Sequence, residues 1–253
     1  MSRDHRIADW ALTGYGLAGY LLGLGVLGLF VLWVAPGPLL PWHVDAGGPV
    51  PLGEALAVDA GLLLLFGLQH SLMARPRFRR WLGARLPAAA VRSTYVWLSA
   101  LAIGLICAFW QPLEGMAWSV DATPARWVLG GGFVLGWGMA VWATFLIDHF
   151  ELFGLRQIWR HLRNEPEPEP VFRERSLYRH VRHPMQLGVL IGLWSTPQMS
   201  LGHLLLAAGM TVYVLIGLYF EERDLVRELG PAYADYRRRV PQLLPGAIRR
   251  GRG

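Results

Sequence analysis

The chain has 253 residues, 53% of them hydrophobic and only 17% charged, and a formal net charge of +6. Soluble globular domains carry about a quarter charged residues, and here the apolar residues fall into blocks longer than the roughly 18 that cross a bilayer. That argues against a cytosolic enzyme and excludes disorder, collagen, coiled coil and a disulfide scaffold, since the one cysteine, Cys107, lies inside an apolar run.

The first apolar stretch runs from Ala11 to Ala35 and stops at Pro36-Gly37-Pro38. It is too long for a signal-peptide core and its leader has mixed charge, so it reads as a retained helix. Further spans are predicted from Leu52 to Met73, Tyr95 to Trp110 and Trp127 to Ile147. The last block, Met185 to Phe220, is too long for one span and is interrupted near Ser195-Thr196-Pro197 and Gly202. Proline removes a donor there and disfavours helix before it. At about 1.5 Å per residue the two halves reach roughly 25 Å each, a short helical hairpin. The prediction is an all-α integral membrane protein: four transmembrane helices plus a C-terminal helical hairpin and a cytoplasmic cofactor-binding tail. It forms a single domain over 1–253, with a four-helix part at 11–147 and an interfacial segment and linker at 148–184. The hairpin is at 185–220 and the tail at 221–253.

All 24 basic residues are arginine. Six lie between Arg75 and Arg92, seven between Arg156 and Arg182, and eight after Glu221, whereas Pro36–Gly53 has none. The positive-inside bias puts both Arg-rich segments and both termini in the cytoplasm, in an inner membrane. The charge reads as attraction to the lipid bilayer, not as nucleic-acid binding, because no aromatics are interleaved with a basic groove. Asn164 to Pro170 alternates carboxylates with prolines and reads as an extended linker, and Arg249–Gly253 reads as frayed.

Ionisable groups entering a membrane mark function, because burying them unpaired is costly. Three clusters qualify. The first is Gln69-His70-Ser71 with Met73 and Arg75 closing span two, faced by Arg92, Ser93 and Tyr95 opening span three. The second is Asp148-His149-Phe150-Glu151-Leu152-Phe153-Gly154-Leu155-Arg156-Gln157, ending span four, read either as a proton-accepting site or as solvated charges on a helix turning onto the membrane surface. The third is Tyr178-Arg179-His180-Val181-Arg182-His183-Pro184 entering the hairpin and Glu221-Glu222 leaving it, followed by Tyr233 and Tyr236. The hairpin brings an Arg/His pair to two carboxylates beside tyrosines. That suits a ligand with a carboxylate, an ammonium and hydroxyls, or else an ion-pair clasp fastening the hairpin ends. A metal site lacks any HExxH or CxxC pattern. His70 and His149 on adjacent spans could instead be axial haem ligands.

The ordered set Arg182-His183-Pro184, Leu187-Gly188, Glu221-Glu222 and Gly230…Tyr233…Tyr236 resembles the C-terminal signature of small membrane methyltransferases. That group includes the isoprenylcysteine carboxyl methyltransferases and phospholipid N-methyltransferases. Gln69–Arg75, Arg92–Tyr95 and His149–Gln157 narrow the likeness to its NnrU-like branch, and to members that turn methanethiol into dimethyl sulfide. Met185-Gln186 stands where carboxyl methyltransferases commonly carry an aromatic residue. The resemblance implies S-adenosylmethionine (SAM) as methyl donor and a small membrane-soluble thiol as acceptor. It implies that Arg182 and His183 bind the SAM carboxylate and that Glu221 and Glu222 bind its amino group or ribose. Tyr178, Tyr233 and Tyr236 would wall the adenosine, with Pro184, Leu187 and Gly188 completing the pocket. His70 and His149 would be proton acceptors supported by Asp148 or Glu151, and Ser71, Arg75, Arg92 and Tyr95 would attend the acceptor. Other acceptors within the group are a prenylcysteine carboxylate, a phospholipid amine or another thiol.

Overall fold

The computed structural model describes residues 3–168 and 174–244. Helices α1 (Arg3–Trp33), α2 (Leu52–Ala74), α3 (Pro76–Gly83) and α4 (Ala88–Phe109) come first, then strand β1 (Met116–Ser119) and α5 (Thr123–Ile147). Two short helices follow, α6 (His149–Leu152) and α7 (Leu155–Arg163), and a 3-10 turn at Ser176–Arg179. The chain then forms α8 (Pro184–Trp194), β2 (Gln198–Ser200) and α9 (Leu201–Arg239). Five helices are long and apolar enough to cross a membrane: Arg6–Trp33, α2, α4, α5 and α9. This is an all-α multi-pass membrane protein.

Three boundaries differ from the sequence reading. Span three begins at Ala88, because Pro87 precedes a run of alanines that propagate helix well; Arg92 and Tyr95 therefore sit inside α4. The Arg75–Arg92 loop contains a helix of its own, α3, with Pro76 at its first position. The hairpin limbs are unequal. The first, α8, has 11 residues, about 16 Å, against a hydrocarbon core of about 30 Å. The second, α9, has 39 residues and continues in helix past Glu221, where a tail was expected. It breaks only at Gly230, whose φ of 63° and ψ of −142° are non-helical, followed by Pro231. Glu169 and Pro170 at the end of the acidic linker and the Arg249–Gly253 stretch lie outside the described residues.

The chain divides into two compact units. The first holds the described residues up to Ala117 with Asp148–Glu167 and Ser200–Leu206. Its helices approach closely through a glycine stripe on α1. A Cβ on Gly16 would lie 1.9 Å from Ile158 Cδ1, on Gly19 2.6 Å from Trp97 Nε1, and on Gly23 2.8 Å from Val96 Cγ1. Small residues at such spacing are what membrane helix pairs use to bring backbones together. Tyr15 and Thr94 bond across the same seam at 2.9 Å.

The second unit holds Trp118–Ile147, the described part of Pro168–Met199, and Ala207 onward. Here α5 and α8 meet backbone to backbone. A Cβ on Gly188 would lie 2.5 Å from Gly136 O and 2.6 Å from Ala140 N, and one on Gly136 would lie 2.5 Å from Gly192 N. After the break at Gly230, Tyr233, Tyr236 and Val240 fold back onto Leu225, Val226 and Leu229.

Candidate functional site

The first unit carries two histidine-centred clusters. His70, one turn before the end of α2, has both ring nitrogens engaged by α4: Nε2 with the Tyr95 hydroxyl and Nδ1 with Ser99 Oγ at 3.0 Å. Tyr95 and Ser99 are four apart and so share a helix face. Gln69 Nε2 donates to Ser99 Oγ at 3.4 Å and to Met73 Sδ at 3.2 Å. The Arg92 guanidinium lies 4.6 Å from the Tyr95 ring centroid, and its Nε donates to Leu152 O at 2.6 Å. Arg75 forms the corner between α2 and α3, its amide donating to Leu72 O at 3.1 Å. Ser71 follows His70 on α2, and the hydroxyl at His70 Nδ1 is that of Ser99.

The second cluster is α6 with its flanks. His149 is buried, and its Nε2 meets the Tyr20 hydroxyl of α1 at 3.1 Å. Burial holds the imidazole below its ordinary pKa, against a smaller upward pull from Asp148. Asp148 caps α6 by accepting from the Glu151 amide at 3.0 Å and pairs with Arg156 Nε at 2.9 Å. Glu151 is held by Arg160 and by Gln157 Nε2 at 2.8 Å. These carboxylates therefore fasten the α6–α7 corner, and the hydroxyl on His149 comes from a tyrosine far away in sequence. Gly154, at φ 92°, starts α7 so close to Ser93 that a Cβ would lie 2.7 Å from its Oγ.

In the second unit the third cluster assembles as the spacing suggested, around Glu222. Its carboxylate is buried and accepts from Arg182 Nε at 2.7 Å and Nη2 at 3.1 Å, His183 Nε2 at 2.7 Å and Tyr233 OH at 3.0 Å. Arg182 Nη1 also donates to Arg237 O at 3.0 Å and to Val240 O. Backbone bonds from Arg182 to Pro241 and from His183 to Gln242, and one from Tyr236 OH to Tyr178 O at 2.6 Å, complete the fastening. Glu221 is the outward carboxylate: its side chain is 48% exposed and 4.0 Å from His183 Nδ1. Tyr178 stands near it, kept a phenol because burial, then Glu221 and Tyr236, raise its pKa.

Arg182, expected to grip a ligand carboxylate, has four of its five N–H groups directed at Glu222, Arg237 and Val240. The clasp and ligand readings thus divide the cluster: Arg182, Glu222, Tyr233 and Tyr236 fasten the chain, and the exposed Glu221 and half-buried Tyr178 form its accessible edge, backed by the buried His183 ring with Nδ1 towards Glu221. That edge pairs a carboxylate with a phenol and an imidazole nitrogen, a donor set that fits the ammonium and hydroxyls of SAM. Pro184 and Leu187 build the first turn of α8, and Gly188 faces α5. Sequence reasoning missed Tyr20, Ser99 and Arg160. Ser99 had one signal, a hydroxyl four residues after Tyr95 in an otherwise apolar stretch; Tyr20 had none.

The fold and clusters define a multi-pass helical membrane protein with buried ionisable sites in both units. The chain is 46% identical over 224 residues to methanethiol S-methyltransferase 2 of Bradyrhizobium diazoefficiens, covering 88% of this chain and 86% of that one. It is 44% identical over 231 residues to the methanethiol S-methyltransferase of Mycobacterium tuberculosis, covering 91% and 94% respectively. Nurim of Homo sapiens is a more distant relative, 34% identical over 229 residues, with 83% and 87% covered. No family model matches the chain, and no solved structure is significantly similar to it. The chain belongs to the methanethiol S-methyltransferase family.

Proposed function

We propose that this protein moves a methyl group from SAM to the sulfur of methanethiol, yielding dimethyl sulfide, S-adenosylhomocysteine and a proton. The observation that carries this reading is the identity of 46% and 44% to two proteins of that name over most of both chains. SAM, when bound, supplies an electrophilic sulfonium methyl.

The remaining work falls to the chain's own residues. Glu221, His183 and Tyr178 hold the amino-acid and ribose end of the cofactor. Arg182, Glu222, Tyr233 and Tyr236 fix the backbone that carries those three, with Pro184, Leu187 and Gly188 setting the start of α8. An alkyl thiol is mostly protonated at neutral pH and attacks as its thiolate, so a proton acceptor and in-line positioning are both needed. His70 and His149 are the acceptors of choice, each braced by a tyrosine. Asp148 and Glu151 act indirectly, by holding the corner from which His149 projects, and Ser71, Arg75, Arg92 and Tyr95 attend the acceptor. A haem between the two histidines is the weaker reading, since each Nε2 already meets a tyrosine hydroxyl.

The acceptor reaches the site through the lipid phase, which suits a small volatile thiol. Both termini and the Arg-rich segments face the cytoplasm from the inner membrane, following the positive-inside bias, and no nucleic acid takes part. The test is headspace gas chromatography on detergent-purified protein given SAM and methanethiol. Dimethyl sulfide requiring both reagents and active protein is the expected result. SAM binding without dimethyl sulfide would redirect the reading to a prenylcysteine carboxylate, a phospholipid amine or another thiol.

A further inference from the structure

We propose that Gln69 and Ser99 form the acceptor-thiol site, with Ser99 Oγ passing the thiol proton to His70. The inference rests on the thiol-methylation reading and specifies where in the first unit the acceptor sits and how it is ionised.

The first observation is an orphan. Gln69 Oε1 is buried and has no hydrogen-bond partner among the described residues, although the amide nitrogen of the same side chain has two neighbours. A carbonyl oxygen left bare among apolar helices is disfavoured, and native structures supply such groups with a donor. A thiol S–H is a weak donor of the right kind. The surroundings suit methyl and sulfur: Phe66 and Met73 are buried, the Phe66 ring lies 5.1 Å from that of His70, and the Met73 thioether touches the Gln69 amide. Soft, polarisable side chains pack well against a small thiol.

The second observation is the direction of the protons. Ser99 Oγ accepts from Gln69 Nε2, so its own proton is aimed at the remaining partner, His70 Nδ1. That leaves His70 Nδ1 with the lone pair and Nε2 with the hydrogen, donated to the Tyr95 oxygen. Ser99 Oγ lies 3.4 Å from Nε2 of the same amide, so a thiol held at Gln69 Oε1 on the Ser99 side of that amide is within reach of its hydroxyl. Rotation about the C–S bond turns the single S–H from Gln69 Oε1, where it docks, to Ser99 Oγ, and the transfer then balances: the S–H bond breaks and its proton goes to Ser99 Oγ, while the Ser99 proton moves to Nδ1. The sulfur keeps the electron pair that forms the new S–CH3 bond, the methyl's bond to the donor sulfonium breaks with its pair left on the donor sulfur, and His70, now imidazolium, loses its proton to solvent. Ser99 and Gln69 touch the substrate, and Tyr95 is a positioning residue that fixes the tautomer. The charged and titratable groups facing this chain are Tyr95 and Arg92 from α4 and, around Arg92, Arg79 of α3 and Glu151 of α6.

The experiment measures the methyl sulfide formed by the full-length protein in detergent (dimethyl sulfide from methanethiol, methyl trifluoroethyl sulfide from trifluoroethanethiol), against pH, for wild type, Ser99→Ala, Ser99→Thr and Gln69→Leu. Methanethiol is compared with trifluoroethanethiol, an acidic thiol that ionises without help. Ser99→Ala is expected to lower kcat for methanethiol by about a hundredfold at pH 7, the usual worth of general acid–base catalysis. The deficit should shrink as pH rises and largely vanish with trifluoroethanethiol, and Ser99→Thr, which keeps the hydroxyl, should restore the rate. Gln69→Leu should raise KM for methanethiol and spare KM for SAM. A Ser99→Ala variant with wild-type kcat and pH profile overturns the inference and leaves the function standing. So does a variant equally inactive on both thiols at every pH, which would make Ser99 purely structural. Wild-type protein that forms no dimethyl sulfide overturns the function and the inference with it.

Discussion

The Glu222 carboxylate and the Arg182 guanidinium meet as a bidentate pair, Oε1 at 2.7 Å from Nε and Oε2 at 3.1 Å from Nη2, with both side chains less than a tenth exposed. The immediate neighbour of each in the chain completes the picture: His183, after Arg182, bonds the same carboxylate, while Glu221, before Glu222, turns outward. Two adjacent glutamates thus carry different tasks, because successive side chains on a helix point about 100° apart.

Glu222→Ala should be a stability variant. It leaves Arg182 and His183 buried around a missing partner, and breaking a buried pair in this way costs about 3–5 kcal/mol. Thermal unfolding in detergent should show a large fall in Tm. Glu221→Ala removes an exposed carboxylate and should hold its Tm while weakening SAM binding by calorimetry. Equal effects of the two substitutions on Tm would contradict this division.

His149 should make the fold sensitive to acid. Its folded pKa is depressed by burial, so between that value and an unfolded value of about 6.5 the unfolded chain binds more protons. Stability is therefore complete above about pH 6.5 and declines as pH falls through the folded pKa. A plot of Tm against pH should drop on the acid side for wild type and drop less for His149→Asn. Parallel curves for the two proteins would show that His149 carries no such linkage.

Gly188 and Gly217 should respond oppositely to alanine. At Gly188 the added methyl meets the backbone of α5 at 2.5 Å, whereas at Gly217 nothing lies within 4 Å. Gly188→Ala should cost about 1–3 kcal/mol or more by overpacking, and Gly217→Ala should gain up to about 1 kcal/mol from helix propensity. Tm measurements on both variants check the sign, and a neutral Gly188→Ala would mean that α5 and α8 are not in contact.

Much of this was legible in the residues. Hydrophobic run length gave the spans, and Arg182-His183 with Glu221-Glu222 at the hairpin ends anticipated the buried clasp. The boundary errors share one cause. Apolar composition marks what lipid can accept, whereas helices stop where the backbone must, at Pro87, before Pro197 and at Gly230. Hence α4 extends back past Arg92, and α9 runs through a polar stretch that composition assigned to a tail.

Membrane crossing, the three polar clusters and the arginine asymmetry are properties of the sequence by itself, because each depends only on how much apolar or charged side chain lies within one local stretch. The tertiary structure alone decided the partners: Tyr20 on His149, Ser99 on His70, the α5 backbone on Gly188, and Glu222 in place of Glu221 as the buried carboxylate. These depend on helix phase and on which helices lie side by side. Distant segments reach those positions only when packing brings them within hydrogen-bonding range.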